Sequence, residues 1–187
     1  SAPEVKVFNN FVEKLNTATS QKSHLTLNGQ AWDRKSLQRL KDVGLDAFTV
    51  QIEVMDPKLF PEMCPGKAAK VPYEGWIQCI LDAVDVYGAG NVAVKLVPGL
   101  TMFSPNGHKT WQEARDHHIE VNRWCIRNGA LPSYSAMWWA PGSTLSAHDP
   151  SYVDKFPPIE YLLDVGLAHH EDMTEYRLYE KMNKFIY

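Results

Sequence analysis

The sequence predicts an α/β fold: a partial, half βα barrel with parallel strands and a C-terminal helical tail. Strand-like and helix-like patterns alternate along the chain, the arrangement that gives a parallel sheet with right-handed crossovers. Four strand-like runs, His24–Asn28, Phe48–Glu53, Val92–Gly99 and Tyr134–Gly142, each end in polar residues or glycine. In parallel α/β sheets ligands sit at those C-terminal ends. The strands are also two-faced. In the second, Phe48, Val50 and Ile52 alternate with Thr49, Gln51 and Glu53; in the third, Val92, Val94 and Leu96 alternate with Ala93, Lys95 and Val97. A doubly wound sheet is covered on both faces and is apolar on both, whereas a barrel can turn polar groups into a lumen. Thr26, Asn28, Thr49, Gln51, Glu53 and Lys95 are therefore expected to face inward. A full barrel takes roughly 250 residues, and four strands do not close one, so the edge strands are expected to need cover from elsewhere.

Each element has its own signal. Phe8, Phe11, Val12 and Leu15, spaced i, i+3, i+4 and i+7, mark an opening amphipathic helix. After the strand at Leu25–Leu27, Asp33 is an N-cap for a helix with the apolar stripe Leu37, Leu40 and Val43, stopped by Gly44. The second strand runs from Ala47 to Ile52, Asp56-Pro57 starts a short helix, and Cys64-Pro65-Gly66-Lys67 makes a turn. Tyr73, Trp76, Ile77, Ile80, Leu81, Val84 and Tyr87 define the longest helix face, ended by Gly88 to Gly90. The third strand, Val92–Val97, runs into Pro98-Gly99. A helix over Thr110–Asn128 follows with Trp111, Ala114, His118, Val121 and Cys125 on its inner side. The fourth strand leads to Pro141-Gly142-Ser143-Thr144, residues to 158 read as loop, and 159–187 read as helical with an irregular stripe. Residues 1–145 thus form the barrel portion and 146–187 the loop and tail.

With 44% hydrophobic residues, the 187-residue chain can bury one substantial core. Its 19 basic and 22 acidic side chains are dispersed, which gives no basic stripe for nucleic acid. No apolar run approaches the ~20 residues of a bilayer span, so a soluble protein without membrane contact is expected. Cys64, Cys79 and Cys125 are odd in number and widely spaced, which fits buried thiols in a reducing cytoplasm better than a disulfide framework or a zinc site. His117-His118 and His169-His170 are adjacent pairs that diverge on a helix, unlike i, i+4 chelating pairs. With Glu171 and Asp172 following, the second pair reads as a solvated helix face. The Trp138-Trp139 rings read as core.

Four stretches in order, Leu27-Asn28-Gly29-Gln30, Thr49-Val50-Gln51-Ile52-Glu53-Val54-Met55-Asp56 followed by Phe60 and Cys64-Pro65-Gly66-Lys67, Val97-Pro98-Gly99-Leu100, and Ala140-Pro141-Gly142-Ser143-Thr144, resemble the C-terminal part of radical S-adenosylmethionine enzymes, nearest the biotin-synthase-like branch. The resemblance spans Asn28 to Thr144 and implies the third to sixth strands of a six-stranded partial barrel. It departs from the family in lacking the CxxxCxxC cluster motif, and Thr101 stands where the family often has a glutamate.

The resemblance implies S-adenosylmethionine as cofactor and a [4Fe-4S] cluster on a partner chain, with this chain a subunit of a split, hetero-oligomeric enzyme. The implied chemistry is reductive cleavage of the sulfonium to a 5'-deoxyadenosyl radical that abstracts hydrogen from a small-molecule or cofactor-precursor substrate. It places Glu53, Gly99, Pro141, Gly142 and Ser143 at the cofactor and Asn28, Gln51 and Lys95 at the substrate. Independently of any family, a carboxylate ending an apolar strand needs partners, and glycine lets a backbone approach a ligand. Glu53 could equally pair with a lysine, Lys95 could bridge to Glu53, and the glycine turns could simply end strands. The alternatives are a non-catalytic scaffold that keeps the half-barrel shape and a small α/β-barrel enzyme using Glu53 and Lys95 in acid–base chemistry.

Overall fold

In the computed structural model the described residues are 2–18, 24–135 and 156–183. Helix α1 (Ala2–Ala18) precedes β1 (Thr26–Gly29), α2 (Arg34–Asp42) and β2 (Ala47–Glu53). Two single-turn helices follow, α3 (Phe60–Met63) and α4 (Pro65–Ala68), then α5 (Tyr73–Tyr87) and β3 (Val92–Leu96). After a 3-10 turn at Leu100–Phe103 come α6 (Trp111–Arg127) and β4 (Leu131–Tyr134). The C-terminal part is α7 (Ile159–Glu175) and a 3-10 turn at Leu178–Lys181. All strand pairings are parallel in the order β1-β2-β3-β4, so the sheet is mixed with helices and is open, not closed, among the described residues.

The expected alternation is what builds the core. Phe48, Val50, Ile52, Val92 and Val94 are fully buried against Leu37 and Leu40 of α2, Trp76 and Ile80 of α5, and Val121 and Cys125 of α6. Each such side chain contributes roughly 1.5–3 kcal/mol of transfer free energy. On the other set of positions, Asn28 is exposed, Gln51 and Lys95 are half-buried, and Thr49 is buried. Local signals set the helix starts: the Asp33 carboxylate accepts from Ser36 N–H, and Thr110 with Glu113 forms a reciprocal capping box before α6.

Several expectations need correction. Among the described residues the fourth strand is Leu131–Tyr134, which begins before the expected start at Tyr134; Pro132 sits opposite Val94 on the outermost described strand, where a missing N–H is tolerated. The rest of that expected run lies outside the described residues, as does Trp138-Trp139. In α1, Val5 and Val12 are buried while Phe11 is exposed. In α5, small Cys79 and Ala83 lie in the core while Leu81 and Val84 are half-buried, because small side chains let the helix approach the sheet. All three cysteines are free and buried.

The tail is the largest surprise. Arg115, Arg123 and Arg127 of α6 bind Asp164 and Asp172 of α7 and the hydroxyl of Tyr176, its C-cap, each 49 residues further on. A constant offset means that the two helices run parallel, as successive helices of βα units do. His169 and Asp172 are correspondingly not on a solvated face: Asp172 is buried against Arg123, and His169 is bonded to Tyr134. No helix among the described residues is long and apolar enough to cross a membrane.

Candidate functional site

The site forms where β2 and β3 end. Between the paired positions Val50↔Val94 and Glu53↔Leu96, β2 holds two residues, Gln51 and Ile52, where β3 holds only Lys95, so an extra residue bulges the strand just before Glu53. Glu53 itself is left-handed, at φ 72°, a conformation that costs a non-glycine residue about 1–3 kcal/mol and persists where the surroundings impose it. Those surroundings are identifiable. The Glu53 carbonyl accepts from Val97 N–H at 3.0 Å.

The Cys64-Pro65-Gly66-Lys67 run builds α4, whose first turn is closed by Lys67 N–H bonding to the Cys64 carbonyl at 3.0 Å. That turn returns Lys67 to the end of β2. Its ammonium lies 2.8 Å from Glu53 Oε1, also donates to the Gln51 carbonyl, and sits 5.3 Å from the Trp76 ring centroid. The Cys64 thiol is 3.6 Å from Glu53 Oε2, and burial together with that carboxylate pushes its pKa up to about 12. This cysteine is thus a protonated thiol at neutral pH. Glu53 is paired with Lys67, not Lys95; among the described residues Lys95 has no ionic partner.

Beyond Glu53 lies a notch of about 30 Å³, with Glu53, Gly99, Thr101, His117, His118 and Tyr161 among its lining and Met55, Leu96 and Val121 as apolar walls. Gly99 is also left-handed, φ 73°. The space that a Cβ would take there is filled by Pro157, 2.8 Å away. Its N–H is taken by the Tyr161 hydroxyl at 3.1 Å, and that hydroxyl is 2.8 Å from His118 Nδ1. Gly99's small size therefore serves the seating of the tail on the β3 turn. His117 has its ring 5.0 Å from that of His108, which bonds Thr101. Burial lowers the pKa of both His117 and His118, the latter to about 4.

Of the residues singled out in sequence, the structure brings Glu53 and Gly99 into one cavity. Gln51 contributes its carbonyl to Lys67, and the side chains of Asn28, Gln51 and Lys95 do not line the notch. Pro141, Gly142 and Ser143 lie outside the described residues. Sequence reasoning missed His118 and Tyr161 as site residues. His118 carried a signal, a histidine on the apolar stripe Ala114, Val121 and Cys125; Tyr161 carried none, because its contact depends on α7 lying beside α6. Among the described residues no group of three or more His, Cys, Asp or Glu side chains is placed to hold a metal ion. The chemistry present is that of an acceptor. A carboxylate offers about four lone-pair positions, and Lys67 occupies one oxygen of Glu53, leaving capacity for ligand hydroxyl or amino donors.

An open parallel sheet flanked by helices makes this an α/β protein, with Glu53 fixed at the C-terminal end of β2. No protein-family model matches the chain, and no solved structure does. The chain is similar to the bacteriochlorophyllide c C-7(1)-hydroxylase of Chlorobaculum limnaeum, 30% identical over 79 residues, which are 42% of this chain and 20% of that protein. The match thus spans about a fifth of the relative's length.

Proposed function

We propose that this chain supplies the cofactor- and substrate-binding part of a radical S-adenosylmethionine enzyme, a βα half barrel whose [4Fe-4S] cluster is carried outside these 187 residues by a partner chain. The observation that carries the reading is Glu53: a carboxylate held in a strained left-handed bulge at a strand's C-terminal end by a lysine from the Cys-Pro-Gly-Lys turn. Strain of this kind is kept where a side chain must be aimed. The match to a hydroxylase named for a carbon position fits hydrogen abstraction from an unactivated carbon, the chemistry that the cofactor supplies when bound with its cluster.

The residues fit the two groups differently. For the cluster they do not fit: Cys64, Cys79 and Cys125 are separately buried in this chain's own core. For S-adenosylmethionine they fit at Glu53, whose free lone pairs suit ribose hydroxyls or the α-amino group. Glu53 binds and orients; Lys67 holds it in register and keeps its charge compensated; Val54, Met55 and Leu96 exclude water beside it. Gln51, Lys95 and Asn28 stay on the less covered set of strand positions, where a substrate would meet them.

The experiment is anaerobic isolation of the protein from its native cells, with iron, sulfide and bound partners measured. Iron and sulfide on a partner that binds S-adenosylmethionine with this chain support the reading; an iron-free protein sinks it.

A further inference from the structure

Among the described residues the Tyr161 hydroxyl has two partners: the Gly99 N–H, from which it accepts, and His118 Nδ1 at 2.8 Å, the one acceptor within reach of its own proton. Nδ1 is then the acceptor and the ring proton sits on Nε2. That Nε2 is buried and has no hydrogen-bond partner among the described residues, on a side chain of a residue only 6% exposed. A buried donor left unpaired is costly, and His118 lines the notch beside Glu53.

We propose that His118 is a recognition residue of this site, its Nε2–H donating to an uncharged acceptor atom, a ring nitrogen or hydroxyl oxygen, of a nucleoside-type ligand. The proposal rests on the cofactor reading above and deepens it. The notch fixes the size of what enters: about 30 Å³ admits an edge of a ring or one or two water-sized groups, since a water needs roughly 10–15 Å³. Its charge is fixed too. The Glu53 carboxylate is already compensated by Lys67 and His118 is neutral, so no unpaired positive charge lines the notch to attract an anion, whereas a neutral acceptor needs only a donor. Thr101, His117 and Tyr161 complete the polar part of the lining. Gly99 takes no direct part, because its N–H is spent on holding Tyr161 in the orientation that sets the tautomer.

The test uses the protein recovered anaerobically, with S-adenosylmethionine as the probe in equilibrium dialysis. His118→Phe is expected to weaken binding about tenfold, the scale of one lost buried hydrogen bond, and His118→Gln, which restores an N–H donor, to recover most of it. Nitrogen-15 histidine spectra of the wild-type chain should show His118 as the Nε2–H tautomer and remove any ambiguity from a poorly folded variant. Equal affinity of wild type and His118→Phe overturns the proposal and leaves Nε2 to a water; so does an Nδ1–H tautomer. Absence of binding to the wild type overturns the cofactor reading and this proposal together, whereas binding insensitive to His118 overturns this one alone.

Discussion

Lys67 reaches back from α4 to bind Glu53 Oε1 at 2.8 Å and the carbonyl of Gln51, so one ammonium clamps both the side chain and the main chain of the β2 bulge. The pair is only partly sheltered, with side-chain exposures of 19% for Lys67 and 38% for Glu53. Its role is aim more than stability. Lys67→Met, which keeps the stem over Trp76 and removes the charge, is expected to cost about 1 kcal/mol in urea unfolding. It should also weaken Glu53-dependent ligand binding several-fold. A Lys67→Met/Glu53→Gln double-mutant cycle checks it, and a coupling near zero would refute the clamp.

Glu53 is left-handed, which separates its backbone from its side chain experimentally. Glu53→Gly and Glu53→Ala both delete the carboxylate and the Lys67 pair, but only alanine keeps the strain of φ 72°. Glu53→Gly should therefore be more stable than Glu53→Ala by about 1 kcal/mol. Thermal unfolding of the two variants decides it; alanine equal to or above glycine would contradict the strained geometry.

Gly99 presents the reverse case. Alanine there meets both the left-handed φ of 73° and Pro157 Cγ at 2.8 Å. Gly99→Ala is expected to lose about 2–4 kcal/mol, with proteolysis near Pro157 accelerated as the tail lifts from the β3 turn. Unchanged proteolysis would show that the tail does not bear on Gly99.

His118 links stability to pH. Burial depresses its folded pKa to about 4 from an ordinary 6.5, so the unfolded chain binds its proton first. The stabilising contribution is present above pH 6.5 and is lost as pH falls towards 4, by roughly 3 kcal/mol in total. His117 and His169, also lowered by burial, act in the same direction. Urea unfolding at pH 7.5 and 4.5 should show this loss, and His118→Gln should reduce it; an unchanged pH slope in the variant would rule out His118 as its source.

The order of elements was legible because large apolar side chains recur at period two in β2 and β3 and buried residues at helical period in α6, although Thr49 and Ala93 are buried as well. Pro132 hid β4, since proline argues against a central strand but not against an outer one. Cys79 and Ala83 hid the true face of α5, where closeness of approach matters more than side-chain size. The tail read as irregular because Ile159, Leu162, Leu163 and Leu167 are exposed while Tyr161, Val165 and Met173 are buried, so no single apolar stripe stands out. At the site, Glu53 could be found as a carboxylate ending an apolar strand. The Tyr161–His118 bond could not, because it joins residues 43 apart in sequence through the packing of two helices.

The central claim is that Glu53 holds S-adenosylmethionine. Equilibrium dialysis of the anaerobically isolated protein against labelled S-adenosylmethionine, with wild type and Glu53→Ala side by side, tests it most directly. The account predicts saturable binding to the wild type and at least a tenfold loss in Glu53→Ala with the fold intact by circular dichroism. Wild-type protein that carries its cluster and yet binds no S-adenosylmethionine, or binds it equally well without Glu53, would contradict it.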